Sequence, residues 1–220
     1  MRGIDLSHWN GDTGKKILAD NNVELDFCIC KHSEGRTMLD KEYVTFSDIA
    51  EDRGILHGGY HFYVGNQCTS EYKKILVDRF AAMYSGGAAL SFIDWERELD
   101  RTNGIFICDA IEEIRAATGR NVGIYASYSV FTSKNIVENP EASLALYCHA
   151  HEIPIWCARY KYSTYRQAIE YSDSNSIPNR VLQSEVAGYG VMVNQITKLC
   201  SYQGRNIDLD YDVAWGYGMG

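Results

Sequence analysis

A short apolar segment that ends in two carboxylates limits the folds open to this chain more than any other stretch. Residues 88–96 read A-A-L-S-F-I-D-W-E, follow Gly86 and Gly87, and precede a polar segment. A short apolar run with such boundaries is typical of a buried strand. Because side chains two apart on a strand share a face, about 6.6 Å from each other, Asp94 and Glu96 are predicted side by side where this strand ends.

Acids at the end of a buried strand have two possible explanations. Removing a charge from water costs several kcal/mol, so each carboxylate needs a partner, solvent or a function. In the structural explanation, both acids are exposed in the loop after the strand or paired with Arg97 or Arg101. In the functional explanation, Asp94 and Glu96 are working groups of a site. The segment taken alone is compatible with both.

The chain is predicted to form a single α/β domain over residues 1–220. Its 45% hydrophobic and 23% charged content is that of an ordinary globular protein, and no linker-like segment divides it. Helix-like and strand-like segments alternate along most of the chain, which favours βαβ units and a parallel sheet. The predicted helices cover 41–53, 69–85, 104–118 and a short piece at 130–137, and the predicted strands cover 3–7, 27–31, 60–64, 88–96, 122–127 and 153–160.

The pattern changes after Tyr160. Strand-like segments at 181–186, 191–196 and 206–210 follow one another with little helix between them. With roughly eight strands in total, a closed barrel is favoured over an open sheet. The predicted fold is an irregular (β/α) TIM-like barrel that is helix-poor in its last third. No glycine-rich phosphate-binding motif supports a nucleotide site.

Charge and cysteine content exclude several classes of function. The net charge of −8, without a cluster of Lys and Arg, argues against a nucleic-acid partner. The N-terminus lacks an apolar signal core and no segment is long enough to span a bilayer, so we expect synthesis in the cytoplasm without a signal peptide and no membrane insertion. Seven cysteines, an odd number, favour reduced and mostly buried thiols. No cofactor and no metal are predicted.

In a barrel, functional groups gather at the C-terminal ends of the strands. Several residues there have an ordinary structural explanation: Asp5 as a helix N-cap, His61 as a core histidine and Trp156 as packing. Jointly, carboxylates on separate strand ends are typical of a glycosidase, in which two acids flank the scissile bond. The 16 tyrosines suit a cleft that stacks sugar rings, although tyrosine also packs well. The residues at these ends are Asp5, Lys31 to Glu34, His61, Asp94, Glu96, Tyr125, Trp156 to Tyr160, Gln195 and Asp208.

A set of short motifs in a fixed order resembles a known family. The motifs are G-I-D-L-S at 3–7, K-H-S-E-G at 31–35 with Asp40 after it, G-Y-H-F at 59–62, I-D-W-E at 93–96, G-I-Y-A-S at 123–127, I-W-C-A-R-Y at 155–160, N-Q-I-T at 194–197 and N-I-D-L-D at 206–210. Together they resemble the glycoside hydrolase family 25 muramidases, the Chalaropsis-type lysozymes of bacteria and of bacteriophage endolysins. The resemblance covers residues 3–212, and its specificity lies in the order of motifs that are individually weak.

The resemblance implies a reaction and a role for particular residues. The reaction is hydrolysis of the β-1,4 bond between N-acetylmuramic acid and N-acetylglucosamine in peptidoglycan. Glu96 matches the general acid, and Asp94 matches the carboxylate beside it that orients the acetamido group or stabilises positive charge. Asp5 and Asp208 match the flanking acids. Aromatic positions near the sugar fall on Tyr60, Tyr125 and Tyr160, and the remaining predicted substrate-binding residues are Glu34, His61, Trp156 and Gln195.

The chemistry expected of these acids is consistent with the resemblance. Crowding Glu96 among other carboxylates is expected to raise its pKa, as a general acid requires. Retaining pairs lie about 5–5.5 Å apart and inverting pairs about 6.5–9.5 Å, so the strand spacing leaves the stereochemical course open. We expect retention through the substrate's own acetamido group.

Departures from the family pattern and alternative functions stay open. Asn194-Gln195 stands where the family usually has Trp-Gln, and Asp210 stands where Asn is common. No wall-binding module is recognised. The lack of a signal peptide suggests a phage endolysin that is released by a holin. We expect it to act on the cell wall as a monomer, with peptidoglycan glycan strands as its substrate. The alternatives are a chitinase-like barrel glycosidase and a non-catalytic glycan-binding module.

Overall fold

The computed structural model of the chain describes residues 2–158, 191–202 and 205–212, with side chains described for residues 3–158. The strands are β1 (Arg2–Leu6), β2 (Phe27–Glu34), β3 (Met38–Leu39), β4 (Leu56–Phe62), β5 (Leu90–Asp94), β6 (Gly123–Ser127), β7 (Ile155–Ala158), β8 (Val191–Tyr202) and β9 (Arg205–Asp212). The helices are α1 (Gly11–Ala19), α2 (Tyr43–Asp52), α3 (Ser70–Ser85), α4 (Arg101–Thr118), α5 (Tyr128–Thr132) and α6 (Leu144–Ala150).

The strands form one mainly parallel sheet that curls. Parallel pairing runs from β1 through β2, β4, β5, β6 and β7 to β8. β9 then pairs antiparallel with both β8 and β1, and the short β3 adds an antiparallel partner to β2. Because β1 pairs with β9 at one end of the strand order and with β2 near the other, the sheet bends round towards itself. The prediction of an α/β fold with a parallel sheet is confirmed.

Local sequence signals place the long helices as predicted. Thr69 is the N-cap of α3, and its side chain accepts a hydrogen bond from the backbone N–H of Tyr72. α4 begins three residues before the predicted start, because the side chain of Asp100 caps it by accepting from the N–H of Asn103 at 2.9 Å. Gly119 ends α4 in the left-handed region, with φ of 68°.

Tertiary contacts explain several elements that sequence periodicity does not predict. β4 begins before its two glycines, where Gly residues normally weaken a strand. A Cβ on Gly58 would lie 2.8 Å from the carbonyl oxygen of Leu90, and a Cβ on Gly59 would lie 2.5 Å from the sulfur of Met83. These glycines are therefore needed for close packing in the strand. The helices α1 and α6 and the strand β3 were not predicted, and the predicted strand at 181–186 lies outside the described residues.

The two faces of the sheet bury different groups. One face packs against the helices in a large apolar layer that includes Ile4, Cys28, Ile93 and Ile124. Alternate residues on the same strands form a smaller aromatic cluster on the opposite, inner face. That inner cluster comprises Phe27, Ile29, Leu90, Phe92, Tyr125, Trp156 and Ala158, with Tyr60 packed against it.

A β-bulge interrupts the alternation of β2. Lys31 pairs with Tyr60 and Ser33 pairs with His61, so His32 is an extra residue between two consecutive rungs. Because of this extra residue, Lys31 and Ser33 lie on opposite faces although they are two apart. Lys31 belongs to the inner face, whereas Ser33 turns towards the helices and hydrogen-bonds His61 at 2.8 Å.

The described part of the chain bears on two further predictions, reduced cysteines and no membrane insertion. The six described cysteines are free, five of them buried and Cys68 half-buried, as predicted for reduced thiols. No described helix combines the length and apolarity that a membrane crossing requires.

Candidate active site

The two acids of the central segment lie in different environments. Asp94 is the last residue of β5 and only 6% exposed, whereas Glu96 lies two residues beyond the strand and is exposed. The interpretation in which both acids are exposed is therefore wrong for Asp94. Of the two nearby arginines, Arg97 lies over the Phe62 ring at 5.4 Å, and Arg101 donates to the carbonyls at 137 and 138.

Trp95 fixes the chain between the two acids. Its side chain is fully buried in the helix-facing layer, and its backbone N–H donates to the carbonyl of Tyr125 at 2.9 Å. The backbone carbonyl of Asp94 accepts from the N–H of Tyr63 at 2.9 Å. Asp94 is thus held at the end of the strand, while Glu96 emerges immediately after an anchored residue.

The buried carboxyl of Asp94 has an unusual electrostatic environment. Burial raises its pKa well above the ordinary value, Glu96 and Asp5 raise it further by like-charge repulsion, and Lys31 opposes them. Within the described part of the chain, Oδ1 of Asp94 has no hydrogen-bond partner. An unpaired buried acceptor costs free energy, so this oxygen is suited to receive a donor from a ligand. The raised pKa that the sequence predicts for Glu96 stays a prediction.

A buried lysine joins the site; the sequence places it at a strand end but assigns it no role. Lys31 is 6% exposed, its Nζ donates to Oε2 of Glu34 at 2.5 Å, and it lies 4.9 Å from the centre of the Phe62 ring. Phe62 pairs with both Glu34 and Asp94 across the sheet, so Glu34, Phe62 and Asp94 lie on one rung. The available signal was the K-H-S-E spacing, but strict alternation would have put Lys31 and Glu34 on opposite faces.

Aromatic rings lie against each other beside the acids. The ring of Trp156 is 4.5 Å from that of Tyr125, 5.3 Å from that of Phe92 and 6.0 Å from that of Tyr60. Tyr125 pairs with Asp94 in the sheet. Burial, with Asp5 and Asp94 nearby, raises the pKa of the Tyr60 hydroxyl, which therefore keeps its proton and remains a hydrogen-bond donor.

His61 is placed differently from the other predicted site residues. It has no exposed surface, and its ring nitrogens lie 2.8 Å from Oγ of Ser33 and 2.9 Å from the hydroxyl of Tyr72. Burial lowers its pKa to about 3, so it is neutral at physiological pH. The alternative of a hydrogen-bonded core histidine describes this placement, and we leave His61 out of the proposed sugar contacts.

The structure describes the remaining predicted site residues to different extents. Asp5 lies within β1, half-buried and close enough to Asp94 to affect its ionisation. Its interpretation as a helix N-cap is wrong, because α1 has Asn10 at that position. Gln195 lies on β8 and Asp208 on β9, but only their backbones are described. Tyr160 lies outside the described residues.

The site is suited to acid–base chemistry. It combines a buried carboxyl, an exposed glutamate, a half-buried aspartate, one buried cation and several aromatic rings. Among the described side chains, no group of three or more His, Cys, Asp or Glu residues is placed to hold a metal ion. Proton transfer to a leaving oxygen, with charge stabilisation next to it, is chemistry that these groups supply by themselves.

Comparison with known proteins identifies a family and a common fold. The model of Glycosyl hydrolases family 25 matches residues 4–179. An autolytic lysozyme of Clostridium acetobutylicum is 27% identical over 190 residues, which are 80% of this chain and 52% of that protein. The chain spans about half the length of the curated relatives that it matches.

Solved structures share the fold at low sequence identity. The bacterial lysozyme from Streptomyces coelicolor superposes with a TM-score of 0.70 and 20% identity, over 98% of this chain and 93% of that one. The CTP1L endolysin superposes with a TM-score of 0.67 and 21% identity, over 96% of this chain and 66% of that one. These likenesses establish the curled α/β fold.

Proposed function

The chain belongs to the glycosyl hydrolases of family 25, and from that membership we propose that it is a muramidase that cleaves the β-1,4 bond between N-acetylmuramic acid and N-acetylglucosamine in peptidoglycan. The observation that carries the proposal is the placement of Asp94 and Glu96 at the end of β5, one buried and one exposed, beside aromatic rings. The similar autolytic lysozyme and the CTP1L endolysin support it.

Glu96 is the proposed general acid. It is exposed at the end of an anchored strand, where a bound glycan has access to it. A proton from its carboxyl to the glycosidic oxygen lets the C1–O bond break, and the leaving sugar departs with a free 4-hydroxyl. Asp5 and Asp208 are proposed as the flanking acids of the same pocket.

Asp94 is the proposed partner of the substrate's acetamido group. Its Oδ1 lacks a hydrogen-bond donor within the described residues, and an acetamido N–H is a donor of the required kind. Accepting that hydrogen bond favours the ionised carboxylate, which then orients the acetamido oxygen towards the anomeric carbon. On this proposal the acetamido oxygen displaces the leaving group and water opens the resulting ring, which gives retention. The proposed sugar contacts are Tyr60, Tyr125, Trp156, Tyr160, Gln195 and Glu34.

Hydrolysis of purified cell walls tests the proposal. We expect the protein to clear walls and release new reducing ends, and Glu96→Gln to do so at least about 100-fold more slowly, because general acid catalysis contributes that much. Glu141→Gln, at an exposed loop glutamate, is the matched control and should match the parent protein. NMR of the fresh product should show the β-anomer. Equal clearing by Glu96→Gln, or release of amino groups instead of reducing ends, would refute the assignment.

Architecture and setting are proposed on the same basis. The pairing of β1 with β9, from opposite ends of the chain, supports a single catalytic domain over residues 1–220 with an irregular TIM-like barrel. We propose that the protein acts on the cell wall as a monomer. The CTP1L endolysin among similar structures supports a phage endolysin. Release that depends on a holin is part of the same proposal.

A further inference from the structure

An exposed tryptophan lies on the turn that follows β1. Trp9 is 84% exposed, more than any other large hydrophobic side chain in the described part of the chain. An indole left in water is an unused apolar surface, and tryptophan is the residue most enriched among the energetic centres of binding sites. The indole of Trp9 is therefore available to contact a ligand.

Hydrogen bonds within the turn fix the backbone of Trp9. The N–H of Asn10 donates to the carbonyl of Ser7 at 2.8 Å, and the N–H of Ser7 donates to Oδ1 of Asn10 at 2.8 Å. The N–H of Trp9 also donates to Oγ of Ser7 at 3.3 Å. The turn holds the indole at its tip in one backbone conformation.

A buried carboxylate supports the ring from the side. The His8 ring lies 4.6 Å from the Trp9 ring, and Oδ2 of Asp40 accepts from the backbone N–H of His8 at 3.0 Å and lies 2.7 Å from its Nδ1. Asp40 is only 6% exposed, and its Oδ1 accepts from the N–H of Glu42 at 3.0 Å. The neighbour of the indole is therefore itself fixed by a buried group, and ordering of a binding surface before a ligand arrives reduces the entropy cost of binding.

The turn is at the same edge of the sheet as the candidate active site. β1 carries Asp5 and runs parallel to the strands that lead to β5 and Asp94, so Trp9 follows the C-terminal end of its strand as Glu96 does. Both residues therefore lie on the rim of one face of the molecule. A glycan strand that crosses the site extends beyond the two sugars of the cleaved bond.

We propose that Trp9 is a stacking platform for an additional sugar ring of the glycan strand, outside the pair at the cleaved bond. This inference rests on the proposed function. The C–H face of a β-linked N-acetylhexosamine covers an indole, while its hydroxyl and amide groups meet polar neighbours such as His8, Asn10 and Asp12. Those polar neighbours disfavour an apolar protein surface as the ligand.

Binding of a defined glycan to an inactive variant tests the platform. In the Glu96→Gln background, titration calorimetry should detect binding of a soluble hexasaccharide of alternating N-acetylglucosamine and N-acetylmuramic acid, and tryptophan fluorescence should change with it. Adding Trp9→Ala should weaken binding of the hexasaccharide about tenfold, which is the size of one aromatic stacking contact. Trp9→Phe should retain most of the affinity, and Leu146→Ala, which removes a side chain 41% exposed on α6, should retain all of it.

The outcomes separate this inference from the proposed muramidase activity. If the parent protein does not hydrolyse walls but Trp9→Ala still weakens binding of the hexasaccharide, the platform stands and the muramidase proposal falls. If walls are hydrolysed and Trp9→Ala binds the hexasaccharide as tightly as its parent, the platform is refuted. A fluorescence response to phosphatidylglycerol vesicles, without a response to the hexasaccharide, would also refute it. Because Trp9 is exposed, its variants are expected to fold, and far-UV circular dichroism checks this.

Discussion

Lys31 and Asp94 oppose each other within the candidate site. Burial and three neighbouring acids favour the protonated form of Asp94, while the buried ammonium of Lys31 favours the carboxylate. The proposed role of Asp94 requires the carboxylate, because only that form accepts the acetamido N–H through either oxygen. Lys31 is therefore a positioning and charge-balancing residue for the proposed reaction.

Lys31→Met should move the acidic limb of the pH–activity profile to higher pH. Without the nearby cation, the pKa of Asp94 rises further, so a larger share of the protein holds Asp94 protonated at mildly acidic pH. Rates of wall hydrolysis between pH 4 and pH 8 measure the effect. Lys134→Met, at an exposed lysine, is the control and should leave the profile in place. An unchanged acidic limb in Lys31→Met would show that Lys31 has only a packing role.

The sequence predicts part of the residue-level site and misses part for a physical reason. Asp94 and Glu96 were predicted from a short apolar run, and the burial of Asp94 follows from its position on the strand. Lys31 was placed at a strand end but given no role, because its contact with Glu34 depends on the bulge at His32, which alternation of side chains cannot anticipate. The predicted strand also extended two residues too far, since β5 ends at Asp94 and Glu96 lies beyond it.

At the scale of elements, α4 supports the segment that carries both acids. A Cβ on Gly104 would collide with the backbone carbonyl of Ile136 and lie 3.0 Å from the Trp95 ring. The absence of a side chain at this position lets α4 approach the residue between Asp94 and Glu96. Packing of the helix and geometry of the site are linked through Trp95.

Gly104→Ala should destabilise the protein by about 2–3 kcal/mol, because backbone must move to accommodate the methyl group. Urea denaturation measures the loss. Gly86→Ala is the matched control: its added Cβ would meet only ordinary contacts at 3.4 Å or more, so it should stay within about 0.5 kcal/mol of the parent protein. A loss of the same size in both variants would mean that contact with Ile136 and Trp95 is not the cause.

Elements with strong local signals were predicted, and elements built by tertiary contact were not. The cap at Thr69 and the stop at Gly119 fix α3 and α4 from sequence alone. α1 contains Gly14, whose backbone lies so near Phe46 that an added Cβ would be 3.0 Å from the ring. That packing compensates for a residue that weakens isolated helices, and no local pattern reports it.

At the scale of the whole molecule, the two faces of the sheet carry groups with different roles. The helix-facing layer contains most of the apolar core, whereas the inner face carries Asp94, Lys31 and the aromatic rings. Burial of Asp94, whose Oδ1 has no partner among the described residues, is a cost that the rest of the fold must offset. Stability and proposed activity therefore make opposite demands on this position.

Asp94→Asn should stabilise the protein while reducing wall hydrolysis. Because the folded-state pKa of Asp94 is raised, the unfolded chain releases this proton first as pH rises above about 4, and the folded state loses relative stability until its own pKa is passed. The amide removes that penalty. We expect a gain of about 1 kcal/mol at pH 7, or roughly 2–4 °C in Tm, and almost no gain near pH 3. Calorimetry at both pH values checks this, and an equal gain at pH 3 and pH 7 would contradict it.

The bulge in β2 decides which face of the sheet each residue beyond it occupies. Between Lys31 and Glu34 the chain holds one residue more than the facing segment of β4, so two residues that are three apart share the inner face. Removing His32 would leave Lys31 and Glu34 two apart on a regular ladder, where residues also share a face, so the pair would be kept. The deletion would instead remove the His32 ring, which lies 3.1 Å from Oγ of Ser33 and 4.7 Å from the Tyr43 ring. A redesign of this strand can therefore make its ladder regular without separating Lys31 from Glu34.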